Sequence, residues 1–247
     1  MEYKLNLNMR AFNAIKRGEK QIEIRANTGN TDYSQIKKGD IIKFLNGNKI
    51  IVCRVKDNNW YKSIEELLML EGTKYTLSST NNYAEGIKSI NSLNGYKETI
   101  KKSGVYAIHI EYLYDETDIW NELYEIAVNN LKPTTKEFID FGGVSAAVLT
   151  EDNNIYTGIC IDTSCSIGMC AERNAISSML NNGETTIKKI VCVGSKKNYM
   201  PPCGVCCEFM LQISEKNKDL EMMMSDNKKM TLKEIFPNWW GNSEEEI

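Results

Sequence analysis

Apolar and polar positions along the chain change period several times, and each change predicts an element. MRAFNAIKRG, residues 9–18, spaces its apolar side chains as a helix does. IEIR, residues 22–25, alternates with the two-residue period of a strand, which sets Glu23 and Arg25 on one face and Ile22 and Ile24 on the other. That pattern by itself predicts solvated charges on a half-exposed strand. A strand pair is expected from about Asp40 to Val55. SGVYAIHIEYLY, residues 103–114, alternates again with β-branched and aromatic residues and reads as a closing strand. ETDIWNELYEIAVNNL then places Ile119, Leu123, Ile126 and Leu131 on one helical face, with a charged first turn and a stop before Pro133.

The second half alternates strands with helices. GVSAAVLT and NIYTGICI read as two strands joined by the turn EDNN, followed by a helix from about Met169, the strand KKIVCVGS, a helix from about Gly204 and the strand DLEMMMS. This order predicts a mixed α/β sheet with helices on its faces. Two domains are expected, residues 1–113 and 114–247, and the acidic end SEEEI is expected to fray.

Composition narrows the class. Hydrophobic residues make up 42% and charged residues 26% of the 247, the balance of a soluble globular protein. No apolar run reaches membrane length, and MEYKLNLNMR lacks the apolar core of a secretory signal, so a cytoplasmic location and no membrane partner are expected. In a reducing compartment the eight cysteines stay thiols, and those that cluster read as metal ligands or catalytic groups. The net charge of −3 conceals an asymmetry: residues 1–113 hold 18 Lys and Arg against 12 Asp and Glu, whereas residues 114–247 hold 12 against 21. Any surface that favours phosphate therefore belongs to the first half, although a charge of +6 also serves merely to solvate it.

CAERNAI, residues 170–176, and PPCGVCC, residues 201–207, carry the chemistry. Cys203 and Cys206 form a CxxC hook, Cys170 supplies a third thiolate, and both clusters open helices, where free N–H groups favour anionic sulfur. Three protein ligands leave zinc an open fourth position for water, whose pKa falls toward about 7. Glu172 stands two residues after Cys170, placed to take a proton from water and pass it to a leaving amine. The competing reading is a purely structural zinc site with Cys207 or Cys165 as fourth ligand. Cys53 and Cys192 lie in apolar strand patterns and read as small buried hydrophobes, and His109 reads as a strand residue.

CAE followed by PCGxC resembles the zinc-binding signature of the cytidine deaminase superfamily, in the three-cysteine version shared with blasticidin-S deaminases. The likeness spans residues 116–240, including GVSAAVLTEDNNIYTGI and TLKEIFP. It implies a three-layer αβα domain, Zn2+ bound by Cys170, Cys203 and Cys206, Glu172 as catalytic proton shuttle, and a homo-oligomer, tetramer or dimer, in which neighbours complete each pocket. Substrate contacts then fall to Asp162, Cys160 and the backbone at Ala171. The family usually reads TGxNxEN in the second strand; Cys160 stands where an asparagine is expected, and Asp162 remains able to accept a sugar hydroxyl. Cys207 stands where an arginine is expected after PCGxC, so either Arg173 offsets the thiolate charge or Cys207 is a spare ligand.

In the first half, Gly18, Lys20, Glu23 and Arg25 fit GxKxxExR, the hallmark of the ASCH family, whose small β-barrel is similar to PUA domains. The resemblance implies an α+β, PUA-like barrel over residues 1–113, an ASCH pocket built on Lys20, Glu23 and Arg25, and a nucleotide- or RNA-related role. Some small members hydrolyse N4-acetylcytidine with a lysine, a threonine and a distant glutamate; Lys20 matches the lysine, while Glu23 fills the threonine position. Trp60, Tyr61 and Tyr83 either stack on a base or belong to the core. Three functions follow: a zinc-dependent deaminase of a small cytidine-like nucleoside or aminopyrimidine, an RNA- or nucleotide-binding protein with a non-catalytic deaminase-like half, or a bifunctional N4-acylcytidine amidohydrolase and deaminase.

Overall fold

A computed structural model describes residues 1–28, 31–225 and 228–241, so the acidic end SEEEI lies outside the described residues. The chain divides into two compact units, Met1–Asp118 and Ile119–Ile247. The division falls five residues beyond the expected one, because the closing strand continues through Asp115 and a 3-10 turn over Glu116–Asp118 follows it within the first unit.

The N-terminal unit contains β1 (Glu2–Asn6), α1 (Met9–Lys16), β2 (Ile22–Arg25), β3 (Ile41–Asn46), β4 (Lys49–Tyr61), α2 (Ile64–Glu71), α3 (Tyr83–Asn91), α4 (Tyr96–Ser103) and β5 (Val105–Asp115). Its sheet runs in the order β1-β3-β4-β5-β2. Two register shifts where β4 pairs with β5, at Val52/Cys53 and Val55/Asp57, increase the local twist and bend the sheet. The expected closed barrel is not made: among the described residues β1 and β2 remain the two edges, and the sheet is a half-barrel. A side chain links these edges where a backbone ladder would have closed them, since Arg25 Nη2 donates to the Asn6 carbonyl at 2.7 Å.

Two cores flank this sheet. One gathers Phe12 and Ile15 of α1 against Ile42, Phe44, Cys53 and Ile108. The other sets Ile64, Leu67 and Leu68 of α2 and Ile100 of α4 against Ile22, Ile24, Val105 and Ala107. Glu23 is buried despite its period-two position, because β2 has no solvent face. The expectation of solvated charges there is corrected by this packing. Trp60 and Tyr83 are not core residues: they are 55% and 41% exposed, and donate to the carbonyls of Ser103 and Glu65. Tyr61 is half-buried and donates to Glu71, which also meets His109 Nε2 at 3.0 Å.

The C-terminal unit contains α5 (Ile119–Asn129), β6 (Thr134–Thr135), β7 (Ile139–Thr150), β8 (Ile155–Thr163), α6 (Ala171–Asn181), β9 (Ile187–Gly194), α7 (Gly204–Ile213), β10 (Glu221–Ser225), β11 (Lys228–Thr231) and α8 (Leu232–Ile235). The long strand β7 lies between β8 and β9, with β10 and β11 continuing beyond β9 and the short β6 pairing with the start of β7. Among the described residues of this unit only β9 and β10 pair in parallel. Period two divides β7 between two faces. Ala146 and Val148 join α6 and α7 in one core, while Ser145, on the opposite face, accepts from Asn130 just beyond α5. Helices thus cover both faces of a mixed sheet. On α5 the buried stripe is Ile119, Leu123 and Ala127, with Ile126 and Leu131 only half-buried.

Candidate metal centre

Two strand-to-helix connections of the same design deliver the cysteines. After β8, Met169 and Ile161 exchange backbone hydrogen bonds of 2.8 and 2.9 Å, which pins the chain just before Cys170. After β9, Met200 N donates to Cys192 O at 2.9 Å and Val193 bridges to Tyr199, which pins the segment leading to Cys203. Each cysteine is then the N-cap of its helix, Cys170 of α6 and Cys203 of α7, and neither side chain is spent on a capping bond. Cys206 follows one turn into α7 and is fully buried.

The resulting sulfur triangle is compact. Cys170 and Cys203 Sγ lie 3.7 Å apart, Cys203 and Cys206 Sγ 3.5 Å apart, and all three sulfurs fall within 4.8 Å of one another. Zinc–sulfur bonds of about 2.3 Å in a tetrahedron demand sulfur–sulfur edges of about 3.8 Å, so the triangle fits zinc. A disulfide would instead bring two sulfurs to about 2.05 Å. Both alternatives for a fourth sulfur fail. Cys207 points with Met210 and Leu211 into the core, and Cys165 is exposed with its sulfur 3.3 Å from Thr163 Oγ1. Among the described residues the cluster therefore holds three ligands.

Glu172 occupies the first turn of α6 and is 5% exposed. Burial pushes its carboxyl above the ordinary carboxylate range, against the opposing pull of its own backbone N–H, the Cys206 thiol and Arg173. Burial also raises Cys170 and Cys206. For Cys203 burial acts the same way, but the backbone N–H and thiol of Cys206, the Cys170 thiol and the Val205 N–H together outweigh it and lower the thiol. Arg173 bonds to Cys170, interacts with Cys206 and donates to Gly168 O at 3.3 Å. A cation directly after CAE thus stands against the sulfurs, while Cys207 remains a core side chain.

A cavity of about 430 Å³ opens in front of the sulfurs. Cys170, Cys203, Ala171 and Glu172 form one part of its lining, with Cys160, Asp162 and Val144 from β8 and β7 forming another. The three sequence-predicted substrate residues therefore lie in the same cavity as Cys170 and Cys203. Cys160 is already engaged, its sulfur accepting the Val144 N–H at 3.2 Å where the β7–β8 register shifts. Gly158 on β8 is a site residue that motif reading passed over. A Cβ there would stand 2.2 Å from Ala175 N and 2.5 Å from Ala171 O, so only glycine lets α6 rest on the strand. Asn174 Nδ2 reinforces that approach by donating to Ile159 O at 3.0 Å. An isolated glycine inside a strand pattern was the available signal.

In the N-terminal unit Lys20, Glu23 and Arg25 do converge. Lys20 Nζ lies 3.3 Å from one Glu23 carboxylate oxygen and Arg25 Nε 2.9 Å from the other. All three line a second cavity, of about 340 Å³, together with Thr76, which motif reading missed. Thr76 lies 56 residues from Lys20 in sequence yet accepts from its Nζ through the carbonyl at 2.5 Å.

Comparison with known proteins finds likenesses over part of the chain. Residues 121–220 match the cytidine and deoxycytidylate deaminase zinc-binding region. The cytidine deaminase of Halalkalibacterium halodurans is 28% identical over 97 residues, covering 38% of this chain and 74% of that one. That of Mycoplasma genitalium is 28% identical over 102 residues, covering 40% and 78%. Among solved structures, cytidine deaminase from Mycobacterium tuberculosis aligns at 21% identity with a TM-score of 0.42, covering 49% of this chain and 97% of that one. A Pyrococcus furiosus protein aligns at 35% identity with a TM-score of 0.38, covering 46% and 98%.

Proposed function

We propose that this zinc-dependent hydrolytic deaminase, whose zinc-binding region spans residues 121–220, acts on a cytidine-like nucleoside or a related aminopyrimidine. The observation that carries the reading is the buried Glu172 carboxyl beside a three-sulfur site that faces a ligand-sized cavity. Zinc, when bound, supplies a Lewis acid with an open coordination position and makes hydroxide available near neutral pH. Glu172 takes one proton of the attacking water and delivers it to the ring nitrogen, then takes the second from the hydroxyl now on the ring carbon and delivers it to the exocyclic amine; the C–N bond breaks, ammonia departs and the ring carbon becomes a carbonyl. Burial, by raising the Glu172 carboxyl above its ordinary range, suits it to accept and return a proton. Arg173 balances thiolate charge that would otherwise repel the Glu172 carboxylate. Asp162 accepts a sugar hydroxyl, the backbone at Ala171 fixes the pyrimidine edge, and Cys160 offers a sulfur already held by the Val144 N–H in place of an amide.

The remaining parts of the reading concern the rest of the chain. The N-terminal unit serves as an ASCH-like, PUA-related module that recognises a nucleotide or RNA, supported by the convergence of Lys20, Glu23 and Arg25 on one cavity. The protein works as a homo-oligomer, tetramer or dimer, supported by two exposed large apolar side chains ahead of Cys170 in sequence, Phe138 and Ile167, which are 67% and 73% exposed. A cytoplasmic setting fits free thiols, and no helix among the described residues is long and apolar enough to cross a membrane.

The test is ammonia release from a panel of cytidine, deoxycytidine, blasticidin S and acylated cytidines, with zinc content measured on the same sample. Release from at least one member by zinc-loaded protein is expected. Zinc-loaded protein that releases none would remove the reading.

A further inference from the structure

The buried ion cluster of the N-terminal unit does not balance. Lys20 Nζ is surrounded by three acceptors: Ile22 O at 2.6 Å, Thr76 O at 2.5 Å and Glu23 at 3.3 Å. Only an ammonium group has three protons to give them. Burial pulls the Lys20 pKa down while Glu23 holds it up, and the three-acceptor geometry is that of the charged form. Arg25 shares the same carboxylate. Two cations with side chains 6% and 14% exposed thus face one anion, which leaves a surplus positive charge away from bulk water.

Independent observations in the same cavity point to what offsets that surplus. Thr76 is fully buried and lines the cavity, and its hydroxyl has no partner among the described residues, an uncommon condition for a buried donor. The first turn of α1 reaches the same space through Asn8, Arg10 and Ala11. That turn contains no acidic residue, whereas α2, α3 and α4 carry Glu65 and Glu66, Glu85, and Glu98 in theirs. A helix start left free of carboxylates, with Asn8 capping through the Ala11 N–H, keeps its positive end for an external anion.

We propose that this cavity is a recognition site for a small phosphorylated ligand of the nucleoside monophosphate class, with the phosphate held by Arg25, Arg10 and the first turn of α1 and a polar edge of the ligand met by Thr76. The volume of about 340 Å³ matches the lower range of small-molecule pockets. The inference rests on the recognition role proposed above for this unit and narrows it to one ligand class; it is independent of the deamination reaction.

Calorimetric titration of the full, zinc-loaded chain tests it, with inorganic phosphate, CMP, cytidine and a single-stranded RNA lacking terminal phosphate as ligands. Phosphate and CMP are expected to bind. Arg10→Gln, at an exposed position, is expected to weaken both at least threefold, and Thr76→Val to weaken CMP at least tenfold. The unliganded melting temperature of Thr76→Val should stay level or rise, because an unpaired buried hydroxyl is removed without a change of shape, so lost binding would not reflect lost folding. Ammonia release should be unchanged in both variants, which keeps failure of the deaminase reading separable from failure of this one. Absent phosphate and CMP binding, equal binding by wild type and variants, or binding of the RNA alone would each overturn the proposal.

Discussion

The two buried glutamates of this protein stand in opposite circumstances. Glu23 is held between Lys20 and Arg25, with a cation at each carboxylate oxygen. Glu172 has no such clamp: it lies against thiols, and burial pushes its carboxyl upward. A carboxylate with a cation at each oxygen has both oxygens engaged in holding the fold, whereas one raised by burial beside a cavity is suited to proton transfer. Similar burial therefore marks recognition and architecture in one unit and proton transfer in the other.

Four substitutions probe that contrast. Glu172→Gln preserves shape and removes the exchangeable proton, so turnover is expected to fall by about 10²–10⁴-fold with zinc retained. A variant keeping more than a tenth of the wild-type rate would erase the distinction between the two glutamates. Glu23→Gln strands two buried cations and should cost the N-terminal unit about 3–5 kcal/mol, read as an earlier unfolding transition, with ammonia release unaffected. Gly158→Ala forces α6 off β8 and should cost about 1–3 kcal/mol in the C-terminal unit with a loss of turnover; a neutral result would mean that the helix relaxes without cost. The smallest change is expected from Cys207→Ala. Its thiol lies in the core, where burial raises it to about 11, so zinc stoichiometry should stay constant and stability fall by about 1 kcal/mol.

How much of this was legible in the sequence depended on the distance between cooperating residues. The sulfur site was readable because the cysteines and Glu172 occur in two short motifs, each at a helix start, so that spacing translates directly into geometry. Cys207 was also decidable in principle, since adjacent helical residues point about 100° apart and cannot both face one metal. The setting of Glu23 was not readable. Period two predicts two different faces for a strand: α2, α4 and Leu77 cover the Ile22 and Ile24 face as the pattern implies, but the Glu23 face, which the pattern assigned to solvent, is closed in by Lys20, Arg25 and the other residues of their cavity. Thr76 gave no signal at all, because its relation to Lys20 exists only after that segment packs against β2. Barrel closure was the resemblance's expectation, and it depended on backbone pairing between β1 and β2, a long-range relation with no local code.

The close seat of α6 on β8 has a consequence for how such a protein diversifies. Gly158 and Asn174 lock the backbones of helix and strand together without using the side chains at 160 and 162. Position 162 is thus left to drift through mutation, and position 160 within the limit set by the Val144 N–H that its sulfur accepts, while Cys170 and Glu172 keep their aim. A lineage built on this scaffold can try new substrates without rebuilding its reaction machinery.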